Sequence, residues 1–375
     1  MLHKIREFRK ELHKHPEISG NEDETRCRVK EFIGINNPGK IIEFEGGGLA
    51  VIYEFSEGPV IMIRCELDAL PIEETNAFDY RSCNKGVSHK CGHDGHMAIV
   101  AVLSLFLKEK PYKQGRVFLL FQPAEETGEG AKALMNDPGF QQLKPDYIFA
   151  LHNLPGESMH SVILVEDYFS ATVQSFKLEL IGKHAHASEP EHGINPAEAI
   201  SELISGFSSL QEKAPEKRNF ALLTPVHINM GTKDYGISAG MGEMHYTIRT
   251  WDEDEMVRLK KRIRQQIDEV CKVENLKYSI EWFDYFPASK NDEQCNNHIK
   301  NAASRNGFAT KSRPFPLKFG EDFGWYSQKY KSAMFGIGAG ENTPALHHAD
   351  YDFPDELLET GIKMFSGIID QILGE

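Results

Sequence analysis

The stretch KCGHDGHMAIVAVLSLFLKE, residues 90–109, joins a polar head to an apolar tail. The tail, from about Met97 to Glu109, is dominated by apolar residues and predicts a helix. The head places a cysteine and two histidines immediately before that helix. Upstream, residues 60–67 (VIMIRCEL) form a short apolar run that is typical of a strand. A strand, a polar loop and a helix in this order indicate an α/β fold.

Similar short runs recur on both sides of this unit, at residues 49–55, 117–122, 147–152 and 161–165. Helix-like stretches separate several of them, which predicts a sheet covered by helices on both faces. Two opening helices are predicted for residues 2–15 and after Asn21, where apolar residues recur at three- and four-residue spacing.

The pattern changes between residues 169 and 285. The predicted strands of this part are residues 173–181, 220–229, 242–250 and 276–283, and helices are predicted at 195–212 and 252–273. This order predicts a compact four-stranded α+β module. We therefore expect a catalytic α/β domain of residues 1–168 and 286–375, interrupted by an inserted domain of residues 169–285.

Composition limits the class of protein. The 375 residues, 40% of them hydrophobic, suggest about two globular domains. The formal net charge of -14 argues against nucleic acid and anionic membranes as partners, because an acidic surface repels phosphate. The longest apolar stretch, residues 98–107, is about half of what a membrane span requires. Six cysteines without a CxxC pair, and no secretory signal, predict a cytoplasmic protein with reduced thiols.

Metal-capable side chains are concentrated where predicted strands end, in residues 64–71, 89–96, 122–130 and 151–153. The carboxyl ends of parallel strands face one crevice, so these segments can converge on one site. Thiolate, imidazole and carboxylate are the preferred donors of zinc-like divalent ions. The adjacent Glu125 and Glu126 allow one carboxylate to bind metal while the other acts as a general base. With two ions, a bridging water becomes a hydroxide near neutral pH.

A second interpretation makes Cys91 a nucleophile, with His93 or His89 as its base. Residues two apart in a loop rarely form the hydrogen bond that this pair needs. The interpretation also leaves the two glutamates and His152 without a role.

Taken together, these segments resemble the metal-dependent amidohydrolases that include aminoacylases, hippurate hydrolases and indole-acetic-acid–amino-acid hydrolases, relatives of the dinuclear zinc carboxypeptidases. N-acetyldiaminopimelate deacetylases share the ending LHHA. The motifs that carry the resemblance are LHKHPE (12–17), LDALPI (67–72), KCGHDGH (90–96), FQPAEE (121–126), ALHNLPG (150–156), GKHAHA (182–187), IRT (248–250), GEDF (320–323) and LHHA (346–349).

The resemblance implies a metallo-carboxypeptidase-like catalytic domain with an inserted four-stranded α+β lid and dimerisation domain, in a homodimer. It implies two divalent metal ions (zinc, manganese, cobalt or nickel) and hydrolysis of N-acyl amino acids or short peptides. The metal ligands that it implies are Cys91, His93, Glu126, His152 and His347. Glu125 corresponds to the general base, Asp68 to a carboxylate behind the metal site, and His186 to the histidine that helps bind the oxyanion.

Three departures from the family pattern concern residues other than these ligands. Glu66 stands where the family commonly has aspartate, and the lid segment GISA, residues 236–239, lacks the usual asparagine. The usual Gly-Gly-His is replaced by residues 184–186, His-Ala-His. We therefore expect a hydrolytic core with altered substrate preference. The changed lid leaves open a metal-binding relative with little turnover, but the intact Glu125 argues against it.

Other polar residues near the motifs have simpler interpretations. Arg249, on a predicted strand, either clamps a substrate carboxylate through two hydrogen bonds or forms a surface salt bridge. His89 and His96 are expected at the rim of the metal site. His13, near the end of the first helix, is expected to have a structural role.

Overall fold

A computed structural model describes residues 2–35, 39–110 and 112–374. The described residues divide into two compact units. Unit 1 contains those of Met1–Phe169, Ser289–Pro316 and Glu321–Glu375, and unit 2 contains Ser170–Ala288 and Leu317–Gly320.

Strands and helices alternate along much of the described chain. The strands are β1 (Lys40–Glu43), β2 (Leu49–Ser56), β3 (Val60–Glu66), β4 (Gly115–Gln122), β5 (Tyr147–Leu154), β6 (Val162–Val165), β7 (Tyr168–Ser170), β8 (Thr172–Ile181), β9 (Ala185–His186), β10 (Ala221–Met230), β11 (Ile237–Ser238), β12 (Met241–Thr250), β13 (Lys277–Phe286), β14 (Ser289–Lys290), β15 (Thr310–Arg313) and β16 (Lys331–Gly338). The helices are α1 (Leu2–Lys14), α2 (Asp23–Gly34), α3 (His93–Glu109), α4 (Gly130–Asn136), α5 (Pro138–Gln141), α6 (Ala197–Ser209), α7 (Glu253–Val273), α8 (Glu293–Arg305), α9 (Gly324–Ser327) and α10 (Leu357–Leu373), with a 3₁₀ turn at Pro190–His192.

Unit 1 is built on an eight-stranded mixed sheet of order β1-β2-β4-β3-β5-β16-β6-β15. Its centre is parallel, because β3 pairs in parallel with both β4 and β5, and β5 does so with β16. Helix α3 packs on β3 and against α1 and α10. Every residue from His93 to Ser104 is buried, so this part of the helix lies inside the core, and from Met97 onward its apolar residues cover all sides. No helix among the described residues is long and apolar enough to cross a membrane.

Unit 2 is a four-stranded antiparallel sheet of order β10-β12-β8-β13, with helices α6 and α7 packed against each other and against it. Strand β12 alternates between buried and more exposed residues, which is the pattern of a sheet with one covered face. Leu317–Gly320 group with this unit, and the Ala171 N–H donates to the Leu317 carbonyl at 2.9 Å. The predicted α/β fold with an inserted four-stranded α+β module is confirmed; the role of that module as lid and dimerisation domain stays a prediction.

Candidate metal centre

The carboxyl ends of parallel strands meet at one edge of the sheet in unit 1. Strand β3 ends at Glu66 and β4 ends at Gln122, and these two residues are paired in the sheet. Strand β5 carries His152 and Asn153 close to its end. The loops that leave this edge therefore bring the polar segments of the sequence into one region.

Cys91, His93 and His152 form one group of possible metal ligands, with their ligand atoms within 4.8 Å of one another. Cys91 Sγ lies 3.5 Å from His152 Nε2. His152 Nδ1 lies 2.9 Å from the carbonyl O of Asn153, so Nδ1 donates and Nε2 turns its lone pair toward the thiol. Gly92 has φ +96°, which lets the chain turn sharply between the cysteine and the helix that begins at His93.

Cys91, Glu126 and His347 form a second such group. His347 Nε2 lies 3.7 Å from Glu126 Oε2. Ala124, just before the two glutamates, and His347 both have positive φ, +51° and +65°. Non-glycine residues seldom adopt this conformation, and where they do it is often at a functional site.

The described residues fit a pair of divalent ions. The two groups share Cys91, so two ion positions would lie next to each other. His93 Nε2 and Glu126 Oε1 are buried and have no hydrogen-bond partner in the described part of the chain. Buried polar atoms without a partner are rare and call for an ion or a water. Thiolate, imidazole and carboxylate are also the donors that zinc-like ions prefer.

The electrostatics of this cluster favour positive charge. Burial and the neighbouring carboxylates Glu126 and Glu125 raise the pKa of the Cys91 thiol. Burial opposes charge on His93, but its contact with Asp68 and the nearby Glu66 raise the pKa of His93 to about 10. The same carboxylates that hold a proton on His93 would attract a cation.

Asp68 lies behind the first group and is entirely buried. His93 Nδ1 lies 2.9 Å from the Asp68 carbonyl O and 3.3 Å from its Oδ1. Asp68 Oδ2 accepts hydrogen bonds from the Ser19 hydroxyl at 2.7 Å and from the Glu126 N–H at 2.9 Å. Asp68 thus holds both the imidazole of His93 and the backbone of Glu126, as expected of a residue that orients metal ligands.

Glu125 is buried next to these groups. Its Oε2 lies 3.9 Å from His93 Nε2, and its Oε1 accepts a long hydrogen bond of 3.4 Å from the Asp322 N–H. Burial and the nearby Glu321 and Glu126 raise the pKa of Glu125 well above its usual value. A carboxylate with a raised pKa is suited to accept and return a proton.

Arg64 balances the carboxylates on the other side of Glu125. It is entirely buried and contacts Glu66, Glu321 at 3.0 Å and Asp322 at 2.6 Å. Coulombic attraction to Arg64 keeps Glu66 ionised in spite of its burial. The glutamate that departs from the family pattern is therefore part of an ion-pair network.

His96 and His89 are both buried, so the expectation that they lie at the rim is wrong. His96 Nδ1 lies 2.7 Å from Glu66 Oε2, and His96 Nε2 lies 2.5 Å from Asn153 Oδ1. Both ring nitrogens of His89 lack a hydrogen-bond partner among the described residues. Sequence reasoning could not place them, because the local sequence around a histidine is the same whether its side chain faces the interior or the rim of the site.

His13 has the structural role that we expected, through buried ion pairs. Its ring nitrogens lie 2.8 Å from Asp94 Oδ2 and 2.9 Å from Glu74 Oε1. Arg9 Nη1 contacts Asp94 Oδ2 at 3.0 Å, and Lys90 Nζ contacts Glu74 at 2.6 Å. Sequence reasoning gave Lys90 no role. The signal that could have pointed to one was the position of this lysine inside a motif of metal-capable residues.

His186 and Arg249 belong to unit 2. His186 is exposed on β9, and its Nδ1 lies 2.7 Å from the Ser188 hydroxyl. Arg249 Nε donates to the Lys318 carbonyl at 2.9 Å, so the hydrogen bond that it makes is to backbone and not to a carboxylate. Their predicted roles in catalysis and substrate binding stay predictions.

Comparisons with known proteins agree with this site. Residues 62–371 match the sequence model of peptidase family M20/M25/M40. An N-acetyl-L-cysteine deacetylase of Bacillus subtilis (strain 168) is 33% identical over 335 residues, which are 88% of this chain and 79% of that protein. An N-acetylcysteine deacetylase of the same organism is 28% identical over 362 residues, 96% of this chain and 94% of that protein.

The fold agrees as well. A crystal structure of a Bacillus subtilis protein, described as a dinuclear metal-binding peptidase from the M20 family, has a TM-score of 0.84 and 26% identity, covering 99% of this chain and 98% of that chain. The family match spans most of the chain and includes the proposed metal ligands. This chain therefore belongs to peptidase family M20/M25/M40 and is a metal-dependent amidohydrolase of that family.

Proposed function

We propose that this chain hydrolyses the amide bond of N-acyl amino acids at the site in unit 1. The observation that carries the proposal is the buried acid Glu125, which lies within reach of His93 and Glu126 and is not a member of the two groups of possible ligands that share Cys91. A protein that only binds metal would not need such an acid. The known relatives are hydrolases, which agrees with turnover.

The site would hold two divalent ions, zinc, manganese, cobalt or nickel. The proposed ligands are Cys91, His93, Glu126, His152 and His347. When bound, such ions polarise the acyl oxygen of the substrate and make a water molecule more acidic. Asp68 would fix the ring of His93 and the backbone of Glu126. Elemental analysis of the purified protein identifies the ion.

Glu125 would move the proton during the reaction. Its carboxylate takes a proton from the attacking water, whose oxygen then bonds to the acyl carbon. The carbon–nitrogen bond breaks, and Glu125 returns the proton to the leaving amine. The negative charge that develops on the acyl oxygen needs a hydrogen-bond donor, and we propose His186 for this role.

The substrates that we propose are N-acetyl amino acids, N-acetylcysteine among them. Two relatives from Bacillus subtilis are named for deacetylation of this compound. The free carboxylate of such a substrate needs a cation, and Arg249 is our candidate, since its Nε is engaged by Lys318 but a guanidinium has further donors. An Arg249→Gln variant is expected to raise KM more than it lowers kcat, whereas a surface role would leave both unchanged.

Metal dependence is tested by measuring amine release from N-acetyl, N-benzoyl and dipeptide substrates, with and without a chelator. We expect hydrolysis that chelation abolishes and that zinc, manganese, cobalt or nickel restores. The proximity of Cys91 Sγ to His152 Nε2, 3.5 Å, also suits a cysteine nucleophile. Activity that resists the chelator and is blocked by thiol alkylation would establish that mechanism instead.

The base is tested by a Glu125→Gln variant, which keeps the size of the side chain and removes its charge. We expect a fall in kcat of about 10²- to 10⁴-fold, the usual contribution of general acid–base catalysis, with both ions retained. Glu129→Gln is the matched control, because Glu129 lies in the same loop and is 60% exposed. Near-normal turnover by the Glu125 variant would remove this residue from the role of base.

We also propose a cytoplasmic homodimer. All six cysteines are free thiols, which agrees with a reducing compartment. Light scattering coupled to size-exclusion chromatography measures the mass in solution, and a mass near 42.4 kDa would contradict the dimer.

A further inference from the structure

Lys90 binds the loop of residues 347–351 at both of its ends. The His347 N–H donates to the Lys90 carbonyl O at 2.8 Å. The Lys90 side chain reaches the other end of the loop, where Nζ donates to the Tyr351 carbonyl O at 2.8 Å. Lys90 is entirely buried, and Glu74 balances its charge at 2.6 Å. Lys90 therefore attaches both ends of the loop, and between them the Ala349 carbonyl O accepts from the Thr75 N–H at 3.1 Å.

Asn153 adds a third attachment. Its Nδ2 donates to the Tyr351 hydroxyl at 2.5 Å and to the Cys91 carbonyl O at 3.1 Å. Its Oδ1 lies 2.5 Å from His96 Nε2. The amide can take only this orientation, because the reverse would place its oxygen against the Cys91 carbonyl.

These attachments matter more for one group of ligands than for the other. His347 has φ +65° and a side chain that is 52% exposed, so neither local conformation nor burial holds it in place. His93 and His152 are buried on a helix and a strand. The position of His347 therefore depends on bonds to distant parts of the chain, whereas the positions of His93 and His152 come from regular secondary structure.

We propose that Lys90 is a positioning residue that controls occupancy of one of the two metal positions, the one formed by Cys91, Glu126 and His347. It acts through the 347–351 loop, and the position formed by Cys91, His93 and His152 is independent of it. The inference rests on the proposed function, which supplies the two ions. Weakening the attachment releases one ion and retains the other.

A Lys90→Met variant tests this, because it keeps an unbranched side chain of nearly the same length and removes the ammonium group. Glu74 does not become unpaired, since it still accepts from His13 Nε2 at 2.9 Å and the Ser82 N–H at 2.6 Å. The protein is loaded with cobalt, dialysed against graded chelator and analysed for metal. We expect two ions per chain in the wild type and, for the variant, a 10- to 100-fold weaker affinity for one ion only, the usual effect of losing a residue that orients a ligand.

A second variant shows which ion is lost. The thiolate-to-cobalt absorption band does not, because Cys91 belongs to both groups and the band would remain with either ion. A His347→Ala variant should give the same one-ion state, and adding Lys90→Met to it should change nothing further. Lys311→Met is the matched control, since Lys311 is a 61% exposed lysine that pairs with Glu157 and should leave both ions bound.

The outcomes separate the inference from the proposed function. Two ions of wild-type affinity in Lys90→Met, or loss of both ions together, would overturn the role of Lys90 and leave the proposed hydrolase intact. A wild-type chain that binds fewer than two ions would overturn the two-ion site and the inference with it. If Lys90→Met does not fold, Tyr351→Phe removes one attachment of the same loop and should weaken the same ion, by a smaller factor.

Discussion

Gly92 lies at the point where the chain turns from Cys91 into helix α3, and Gly92→Ala tests whether that turn sets the geometry of the site. Its backbone has φ +96° and ψ 14°. A Cβ added to it would lie 2.6 Å from Asn153 Oδ1 and 2.9 Å from Asn153 Nδ2. Asn153 is held by His96 and by the Cys91 carbonyl, so it has little freedom to move away.

Gly92→Ala has two destabilising effects on the folded protein, and their free-energy costs add. A left-handed backbone costs a non-glycine residue about 1–2 kcal/mol. The overlap with a fixed buried side chain adds about 1–3 kcal/mol, as overpacking of a core does. We therefore expect the free energy of unfolding to fall by about 2–5 kcal/mol, measured by urea denaturation of the metal-free protein, with weaker metal binding because Cys91 and Asn153 must shift.

Gly86→Ala separates the two costs. Gly86 also has positive φ, +76°, but a Cβ there would meet no atom within 4 Å. The free energy of unfolding of Gly86→Ala should fall only by the backbone cost of about 1–2 kcal/mol, and its metal affinity should be unchanged. Equal losses in the two variants, or a loss below about 1 kcal/mol for Gly92→Ala, would refute the argument that contact with Asn153 makes glycine necessary between the cysteine and the histidine.

Three further predictions concern stability. Burial opposes charge on His13, but its hydrogen bonds to two carboxylates raise its pKa to about 9. The stabilising effect of the charged ring is therefore complete below about pH 6.5 and is lost as the pH rises through 9. The unfolding free energy of His13→Gln should depend less on pH across that range than that of the wild type, and equal slopes would contradict this. Arg64→Met leaves three buried carboxylates without their cation and should cost about 3–5 kcal/mol by urea denaturation; a cost below about 1 kcal/mol would show that they do not need it. Asp252→Ala removes the side chain that accepts from the Glu255 N–H at the start of α7 and should cost about 1 kcal/mol by thermal unfolding, without affecting kcat; no loss of stability would mean that the cap is dispensable.

Periodicity was sufficient to predict most of the long helices and central strands, but not the edge strands β1 and β15 of the large sheet. The apolar run from Met97 predicted the body of helix α3, but the helix begins four residues earlier, at His93, so the two histidines expected before it lie in its first turn. The alternating run at residues 242–250 predicted β12, because alternation records which face of a strand is covered. The order of strands and helices then predicted a parallel sheet whose carboxyl ends meet. That is why Cys91 and His152, which are 61 residues apart, could be expected near each other.

The environment of the site was less predictable. His96 was expected at the rim, but it lies in the interior between Glu66 and Asn153. Lys90 was given no role, although its ammonium contacts Tyr351, 261 residues away in the sequence. Such partners depend on how loops from different strands pack together, and no local pattern of residues encodes that.

The sequence by itself determined which chemistry is possible here: thiol, imidazole and carboxylate groups at strand ends, with Glu125 adjacent to Glu126. It did so because the residue type fixes which atoms can bind a metal, and the local pattern of apolar residues predicts the order of strands along the chain. Only the tertiary structure decided that two of the groups of possible ligands share Cys91. It also decided that the His347 N–H donates to the carbonyl O of the buried Lys90, because such a contact depends on how distant segments of the chain pack together.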